Sequence, residues 1–197
     1  MSGYDGARIS FFTGAGELQL TAYGVSGIPV FQLSRYAIKA MSTKQKVHMV
    51  CDFLPGVRKK VLLEKIMDRK KLPMNAEEAF CGILNKKLLL HLLKQAQIKA
   101  TDMVQNVSDD KLREFCGLIK QCKIPLFDYL PFENAQVCQG GVDTKELYEN
   151  LESKMQKGLF IVGELVDIDG KCGGYNLQWA WSSGYVAGVC AAKKKGE

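Results

Sequence analysis

The residue types best suited to chemistry lie together in the segment 158–178. A short apolar run over 159–163 predicts a strand buried on both faces of a parallel sheet, and Glu164 follows it directly. A carboxylate at such a strand end is placed to accept hydrogen bonds from sugar-like hydroxyls. Because ligands of α/β folds bind outside the carboxyl ends of strands, this segment is the candidate binding site.

A glycine-rich loop and a helix start complete the segment. Gly173 and Gly174 have no Cβ, which allows the backbone to approach a ligand closely. A helix predicted over 175–192 would direct its first unpaired N–H groups and the positive end of its dipole at an anion. The alternative is that the two glycines only form a tight connection between a strand and a helix. The spacing alone favours this second interpretation.

The predicted helix carries small residues at every fourth position, Ala180, Gly184 and Gly188. We expect this face to pack closely against a sheet or another helix, with Trp179 and Trp181 beside it. Such packing would fix the ligand end of the helix rigidly.

No catalytic or metal-binding set is predicted elsewhere in the chain. The seven cysteines are odd in number and irregularly spaced, with no CxxC, which indicates reduced and mostly buried thiols. There are only two histidines, so a histidine-rich metal site is not expected. Tyr23 and Cys172 are acid–base candidates by residue type only, and the catalytic residues therefore stay unknown.

Composition and charge indicate a globular protein of ordinary make-up. The net charge of +6 is spread in lysine pairs, a pattern typical of solvated helix faces, whereas nucleic-acid binders more often concentrate their charge. We therefore expect a small-molecule substrate and no nucleic-acid partner, and the modest positive bias would also suit an anionic ligand. No apolar run reaches the about 18–20 residues that cross a membrane, and residues 1–10 do not form a signal peptide. A cytoplasmic protein without a membrane partner is expected.

The chain divides into zones of different texture. A β-rich zone over 1–56 precedes a helical zone over 57–123, and a second β-rich zone over 124–157 precedes the strand, loop and helix of 158–197. Within them the patterns predict strands over 9–12, 17–21, 47–51, 127–130 and 134–138, and a helix over 28–37. The helical zone is predicted to hold three packed helices: one over 57–69, one capped by Asn75 with its apolar face extending over 83–93, and one capped by Ser108.

Three stretches of the chain resemble one known family. Residues 158–188 read GLFIVGELVDIDGKCGGYNLQWAWSSGYVAG, similar to the C-terminal signature of the bacterial flavoproteins that include aminoacetone oxidase-like and BaiN-like (bile-acid dehydro-reductase) proteins. Residues 16–35, GELQLTAYGVSGIPVFQLSR, and residues 135–142, AQVCQGGV, followed by Glu152-Ser153-Lys154, resemble the same family. The resemblance covers most of the chain apart from the helical zone.

The resemblance implies an α+β fold and a flavin cofactor. It implies a β-barrel-like inserted domain, a small helical subdomain, and the last strand and helix of an incomplete Rossmann-type FAD domain. The parent protein would move hydride equivalents between NAD(P)H or an organic substrate and FAD. Glu164 would contact the ribityl chain, and amides near the flavin pyrimidine edge would stabilise charge on the reduced flavin. The implied cofactor-binding residues are Gly163, Glu164, Gly173, Gly174, Tyr175, Asn176 and Gln178.

The chain also departs from the family pattern. It has no G-x-G-x-x-G strand–helix fingerprint for the FAD pyrophosphate, since Gly14-Ala15-Gly16 is followed by a predicted strand. We therefore expect a fragment, inactive alone, whose partner is the missing N-terminal FAD-binding segment. The unpaired strand over 159–163 would expose its edges, which favours a homo-oligomer.

Other functions stay open at this point. The chain could be a stand-alone module that binds a ligand or partner without flavin, or an oligomerisation domain. The loop 24–27 could face the flavin, or it could be an ordinary turn between a strand and a helix.

Overall fold

The computed structural model of the protein describes residues 12–194, which form two compact units. One runs from Lys46 to Phe127 and is called the helical unit below. The other, called the split unit, comprises the described residues before Lys46 and those from Asp128 onward.

The helical unit begins and ends in one small sheet. Strand β3 pairs antiparallel with strand β4, so that Val47 lies opposite Leu126 and Cys51 opposite Cys122. The unit therefore starts earlier and ends later than the helical zone of the sequence, because the two strands that flank its helices pair with each other. Its elements are β3 (Val47–Cys51), α2 (Lys59–Arg69), α3 (Ala76–Phe80), α4 (Lys86–Gln95), α5 (Asp109–Lys120) and β4 (Cys122–Leu126).

Apolar faces of the four helices enclose one core, in which the rings of Phe80 and Phe115 lie 5.1 Å apart. The predicted caps are confirmed. Asn75 accepts a hydrogen bond from the Glu78 amide in a capping box, and Ser108 accepts one from the Lys111 amide. The single helix predicted from the Asn75 cap through 93 is two helices, because α3 ends at Phe80 and Asn85 caps a new helix, α4, through the Lys87 amide.

The first part of the split unit is a hairpin followed by a helix. Strand β1 (Gln19–Thr21) pairs antiparallel with β2 (Gly24–Ser26), and α1 (Ile28–Ser42) follows. A Cβ on Gly27 would lie 2.4 Å from the Glu17 carbonyl oxygen, so the step from β2 into α1 requires glycine. The strand predicted over 9–12 lies outside the described residues except for its last position.

In the strand predicted over 17–21, Leu18 and Leu20 alternate with polar neighbours, which predicts one buried face, and this prediction is wrong. Leu20 is exposed, because among the described residues nothing packs over that side of the two-stranded hairpin. The strands predicted over 127–130 and 134–138 are also not formed. Asp128 accepts a hydrogen bond from the Tyr129 amide, Pro131 has no N–H to donate, and the exposed segment gains no burial from pairing.

The segment 159–163 is not a sheet strand either. Phe160 forms one isolated bridge with Glu152, and a 3-10 turn over Gly163–Leu165 follows. Within the described range no parallel strand lies beside it, and an apolar run becomes a strand only where a neighbour takes up its hydrogen bonds. The helix predicted over 175–192 is confirmed as α6 (Tyr175–Lys194).

The described residues thus form a mixed α/β structure with two two-stranded sheets, and a closed barrel is not among their arrangements. Across residues 12–194, no helix is both long and apolar enough to span a bilayer.

Candidate functional site

Gly163 is fixed against the middle of α6 by two hydrogen bonds. Its amide donates to the Ser183 hydroxyl at 3.0 Å, and its carbonyl accepts from the Trp179 indole N–H at 2.9 Å. The Ser183 hydroxyl in turn donates to the Ala180 carbonyl. Gly163 has a positive φ of 64°, which glycine adopts without strain. The turn that carries Glu164 is therefore held in place by the helix.

The packed face of α6 differs from the predicted one. Ser183 and Ala187 are buried, whereas a Cβ at Gly184 or Gly188 would meet no heavy atom within 4 Å. The face is rotated by about one residue, about 100° around the helix, because Ser183 and Trp179 bind the Gly163 backbone. The expectation that the two glycines allow close approach is not met within the described part of the chain.

The two glycine motifs of the split unit meet beside this turn. Val142 donates to the Leu165 carbonyl at 2.8 Å, and the Asp167 amide donates back to Val142 at 2.9 Å. A Cβ on Gly141 would lie 2.5 Å from the Leu165 carbonyl oxygen, so this approach requires glycine. The Gly140-Gly141-Val142 stretch therefore supports the backbone next to Glu164.

Asn176 closes the glycine-rich loop from inside. Its side-chain oxygen accepts from the Gly170 amide at 2.7 Å, and its amide group donates to the Gly170 carbonyl at 3.5 Å. Just before the loop, Asp169 forms an ion pair with Arg35 of α1, and both side chains are mostly buried. The loop thus has one anchor on its own helix and another on α1.

The tip of the loop presents bare backbone. Gly173 and Gly174 have φ values of 119° and 93°, and a Cβ on either would meet no heavy atom within 4 Å. The Gln178 amide bonds the Gly174 carbonyl at 2.9 Å, and the amides ahead of it belong to the first turn of α6 and have no partner within the helix. Backbone amides in this position can donate hydrogen bonds to an electron-rich edge of a ligand.

The predicted site residues form two groups along α6. The Gly163–Glu164 turn lies beside Trp179 to Ser183, which are four to eight residues, or about 6–12 Å, from the helix start at Tyr175. Glu164 and Tyr175 are exposed, and the Gln178 side chain donates to the Ser182 hydroxyl instead of pointing into the loop. An elongated ligand along α6 would be needed to touch both groups.

Sequence reasoning missed the residues that hold the site together. Ser183 and the Arg35–Asp169 pair have structural roles that no spacing rule reveals, because their partners lie far away in the chain. The serine pair 182–183 in the helix interior was the available signal, since serine in a helix often hydrogen-bonds to nearby backbone.

One face of α6 is strongly apolar and exposed. Leu177, Trp181 and Tyr185 recur every four residues and are 62%, 69% and 75% exposed. Side chains with this spacing share a helix face, and exposed apolar patches of this kind mark interaction surfaces.

The open space around α6 is shallow. A depression of about 150 Å³ lies beside Trp179 and Ser183, and a larger one of about 790 Å³ lies at the turns of residues 148–157. Neither includes the glycine loop. Since ligand pockets enclose most of a ligand, neither depression is a closed ligand pocket.

Comparison with known proteins places these features in a family. The profile described as HI0933-like protein Rossmann domain matches residues 13–190. This confirms the resemblance to BaiN-like flavoproteins, and it confirms the Rossmann-type part of the predicted fold at the level of the family.

Curated relatives extend the comparison. A 3-dehydro-bile acid delta(4,6)-reductase of Clostridium scindens is 40% identical over 91% of this chain and 44% of its own length. Ribosomal RNA dihydrouridine synthases of Haemophilus influenzae and Escherichia coli are 28% and 30% identical, over 90% and 86% of this chain and 43% and 41% of their own lengths. The chain therefore spans less than half the length of these relatives.

Proposed function

Because the chain belongs to the HI0933-like family, we propose that it forms one wall of the flavin site of a FAD-dependent oxidoreductase. The observation that carries this proposal is the bare, positive-φ backbone of Gly173 and Gly174 at the start of α6. An anionic or electron-rich edge would be favoured there by the first amides of the helix and by its dipole.

The proposed roles differ between the predicted residues. Gly173, Gly174 and Tyr175 would contact the flavin through backbone amides, while the Asn176 side chain keeps the loop in shape. Gly163 and Glu164 lie in the turn that is bonded to the middle of α6, and they would face the ribityl chain. When bound, FAD supplies the two-electron redox chemistry, and these residues orient it and stabilise negative charge at its edge.

We propose reduction of a conjugated carbon–carbon double bond as the reaction. This reaction type accounts for both kinds of relative, because a delta(4,6)-reductase and a dihydrouridine synthase each saturate a double bond. NAD(P)H would be the hydride donor, and the catalytic residues stay unassigned.

The apolar face of α6 supports a further part of the proposal. We propose that Leu177, Trp181 and Tyr185 pack against a dinucleotide-binding segment that carries the G-x-G-x-x-G fingerprint of the family. A homo-oligomer would use the same face. The strand edge over 159–163 is a weaker basis for an oligomer, because Leu159 and Ile161 already bond to Ser153 and Leu151.

A flavin titration with matched glycine variants tests the site. Gly174→Ala would place a methyl group where the flavin edge approaches, and we expect at least about tenfold weaker FAD binding, measured by quenching of FAD fluorescence. Gly158→Ala is the control, because Gly158 also has a positive φ and open space around it but lies outside the loop. Equal weakening in both variants would contradict the proposed site.

A second experiment tests the reaction. The chain is mixed with FAD and a separately produced dinucleotide-binding segment of the bile-acid reductase relative, and NADH oxidation is followed with a steroid 4-en-3-one as substrate. We expect a yellow complex and substrate-dependent NADH oxidation. A complex that assembles without binding flavin would instead support the stand-alone binding module, and concentration-dependent self-association alone would support the oligomerisation domain.

A further inference from the structure

The two strands of the helical unit place two cysteines opposite each other. Cys51 is the last residue of β3, Cys122 is the first of β4, and the register makes them direct partners across the antiparallel pair. The side chains of direct partners lie on the same face of a sheet, and their Cα atoms are about 4.5–5.5 Å apart. A disulfide joins Cα atoms that are about 4.4–6.8 Å apart. The two thiols, both free in this structure, are therefore within reach of each other.

Burial distinguishes this pair from the other cysteines. Of the seven cysteines only Cys51, Cys116 and Cys122 are buried, and the Cys116 thiol, in α5, donates instead to the Lys59 carbonyl at 3.7 Å. Burial raises the pKa of the Cys51 thiol to about 11, and the neighbouring Cys122 contributes to this increase. An electrostatic effect of one thiol on the other requires that the two sulfur atoms lie close together.

Two adjacent thiols could also serve as half of a metal site. A structural zinc site needs four ligands, commonly Cys and His. Within residues 12–194, no group of three or more His, Cys, Asp and Glu side chains could hold a metal ion. The arrangement therefore favours oxidation of the pair to a disulfide over metal binding.

Lys120 anchors the loop that follows Cys51. Its ammonium group donates to the carbonyls of Leu54 and Val57 at 2.6 and 2.7 Å, and it forms an ion pair with Asp52 at 2.6 Å. This end of the sheet can open only when these contacts break. Burial also raises the pKa of both paired thiols, so that few thiolates are present at neutral pH. We therefore expect the thiols to react slowly, during local opening of the sheet end.

We propose that Cys51 and Cys122 form a reversible disulfide that joins the two ends of the helical unit under oxidising conditions. One thiol loses its proton, and its thiolate attacks oxidised glutathione to give a mixed disulfide and one glutathione thiol. The second protein thiolate then attacks the mixed disulfide and releases the other glutathione thiol. The two protein sulfurs lose two electrons and two protons in total, and one glutathione disulfide is reduced to two thiols. This inference goes beyond the proposed function and involves no flavin.

The disulfide would stabilise the helical unit and would remain reducible. It would close a loop over residues 52–121, which includes all four helices of the unit, and a cross-link over a long loop restricts the unfolded chain most. Direct cross-strand partners have Cβ atoms about 4.5–5.5 Å apart, whereas a disulfide prefers about 3.5–4.5 Å. The bond would thus be slightly strained, and strained disulfides are the more easily reduced ones.

Oxidation of the whole chain with glutathione disulfide tests the proposal. Cys81→Ser/Cys138→Ser serves as the background, because it removes the two exposed thiols that could link separate chains. After the remaining thiols are blocked with iodoacetamide, tryptic digestion and mass spectrometry should find the peptides of residues 47–58 and 121–123 linked to each other. Urea denaturation followed by circular dichroism should show a midpoint at least about 1 M higher after oxidation, and dithiothreitol should reverse the shift.

Cys51→Ala in the same background is the matched control, and it should give neither the linked peptides nor the shift of the midpoint. The proposal would be overturned by glutathione attached separately to Cys51 and Cys122, or by a linkage of either to a different cysteine in preference. It would also be overturned if the chain, shown to be folded by circular dichroism, stayed unlinked even in urea just below its midpoint, where the sheet end opens more often. Since none of these measurements uses FAD, a failure here would leave the proposed oxidoreductase unaffected.

Discussion

The two units of the protein differ in how many of their large apolar side chains they bury. The large side chains that are fully buried belong to the helical unit, with the exceptions of Val166 and Ser183. Of the 24 exposed large apolar side chains among the described residues, 20 belong to the split unit. The helical unit thus has a finished core, whereas the split unit presents the apolar surface that an additional protein layer would cover.

The buried core of the described residues thus lies mainly in the helical unit, and their exposed apolar surface lies mainly in the split unit. A unit with its own core folds on the strength of its own burial, at about 25 cal/mol per Å² of apolar surface. In the split unit, backbone hydrogen bonds at Gly163, Val142 and Gly170 do more of the positioning.

Removal of a core ring should affect the helical unit most. Phe80→Ala deletes a fully buried side chain next to Phe115, and we expect a loss of about 3–5 kcal/mol in the free energy of unfolding, measured by urea denaturation. Leu177→Ala, at an exposed position of α6, is the control and should cost less than about 0.5 kcal/mol. Similar losses from both substitutions would break the contrast between the units.

Glycine substitutions should act with opposite sign in the two units. Gly141→Ala meets the Leu165 carbonyl oxygen at 2.5 Å, and we expect it to cost the split unit at least roughly 1–3 kcal/mol. Gly117→Ala, in α5 with open space around the added methyl, should stabilise the helical unit by roughly 0.5–1 kcal/mol. Hydrogen exchange resolved by segment would measure the stability change of the split unit for Gly141→Ala and that of the helical unit for Gly117→Ala. A loss at Gly117 would show that the space there is not free.

The helical unit should also lose stability in alkaline solution. Burial, with a smaller contribution from Cys122, raises the pKa of the Cys51 thiol from 9.0 to about 11. Above pH 9 the unfolded chain loses this proton while the folded chain keeps it, so the free energy of unfolding falls as pH rises toward 11, by about 1.4 kcal/mol per pH unit at most. Cys51→Ala should remove this component of the slope in pH-dependent denaturation. An unchanged slope would mean that the thiol is solvated.

The exposed face of α6 should be nearly neutral for folding. Replacing Leu177, Trp181 and Tyr185 together with glutamine should change the free energy of unfolding by less than about 0.5 kcal/mol per site and should lower the fluorescence of a bound apolar dye. With the same three replacements, the chain should no longer form a complex with a dinucleotide-binding segment. A strongly destabilised chain would show instead that this face is already covered in solution.

Local signals in the sequence located most of the helix starts and the strand over 47–51, and they failed where a strand needed a distant partner. Capping by Asn75 and Ser108 and the start of α6 at Tyr175 depend on nearby residues, and the patterns predicted them. The strand over 159–163 failed because its apolar run does not specify a neighbour to pair with. The Gly173-Gly174 loop was located correctly, but its anchors at Arg35, Asp169 and Ser183 come from distant segments.

The pairing of β3 with β4 brings the first and last residues of the helical unit close together. Val47 and Leu126 are partners across the sheet, so the chain enters and leaves the unit at points about 4.5–5.5 Å apart. A two-residue turn closes a gap of that size. Such a turn in place of the whole helical unit would therefore leave the residues on either side of the unit at their present separation.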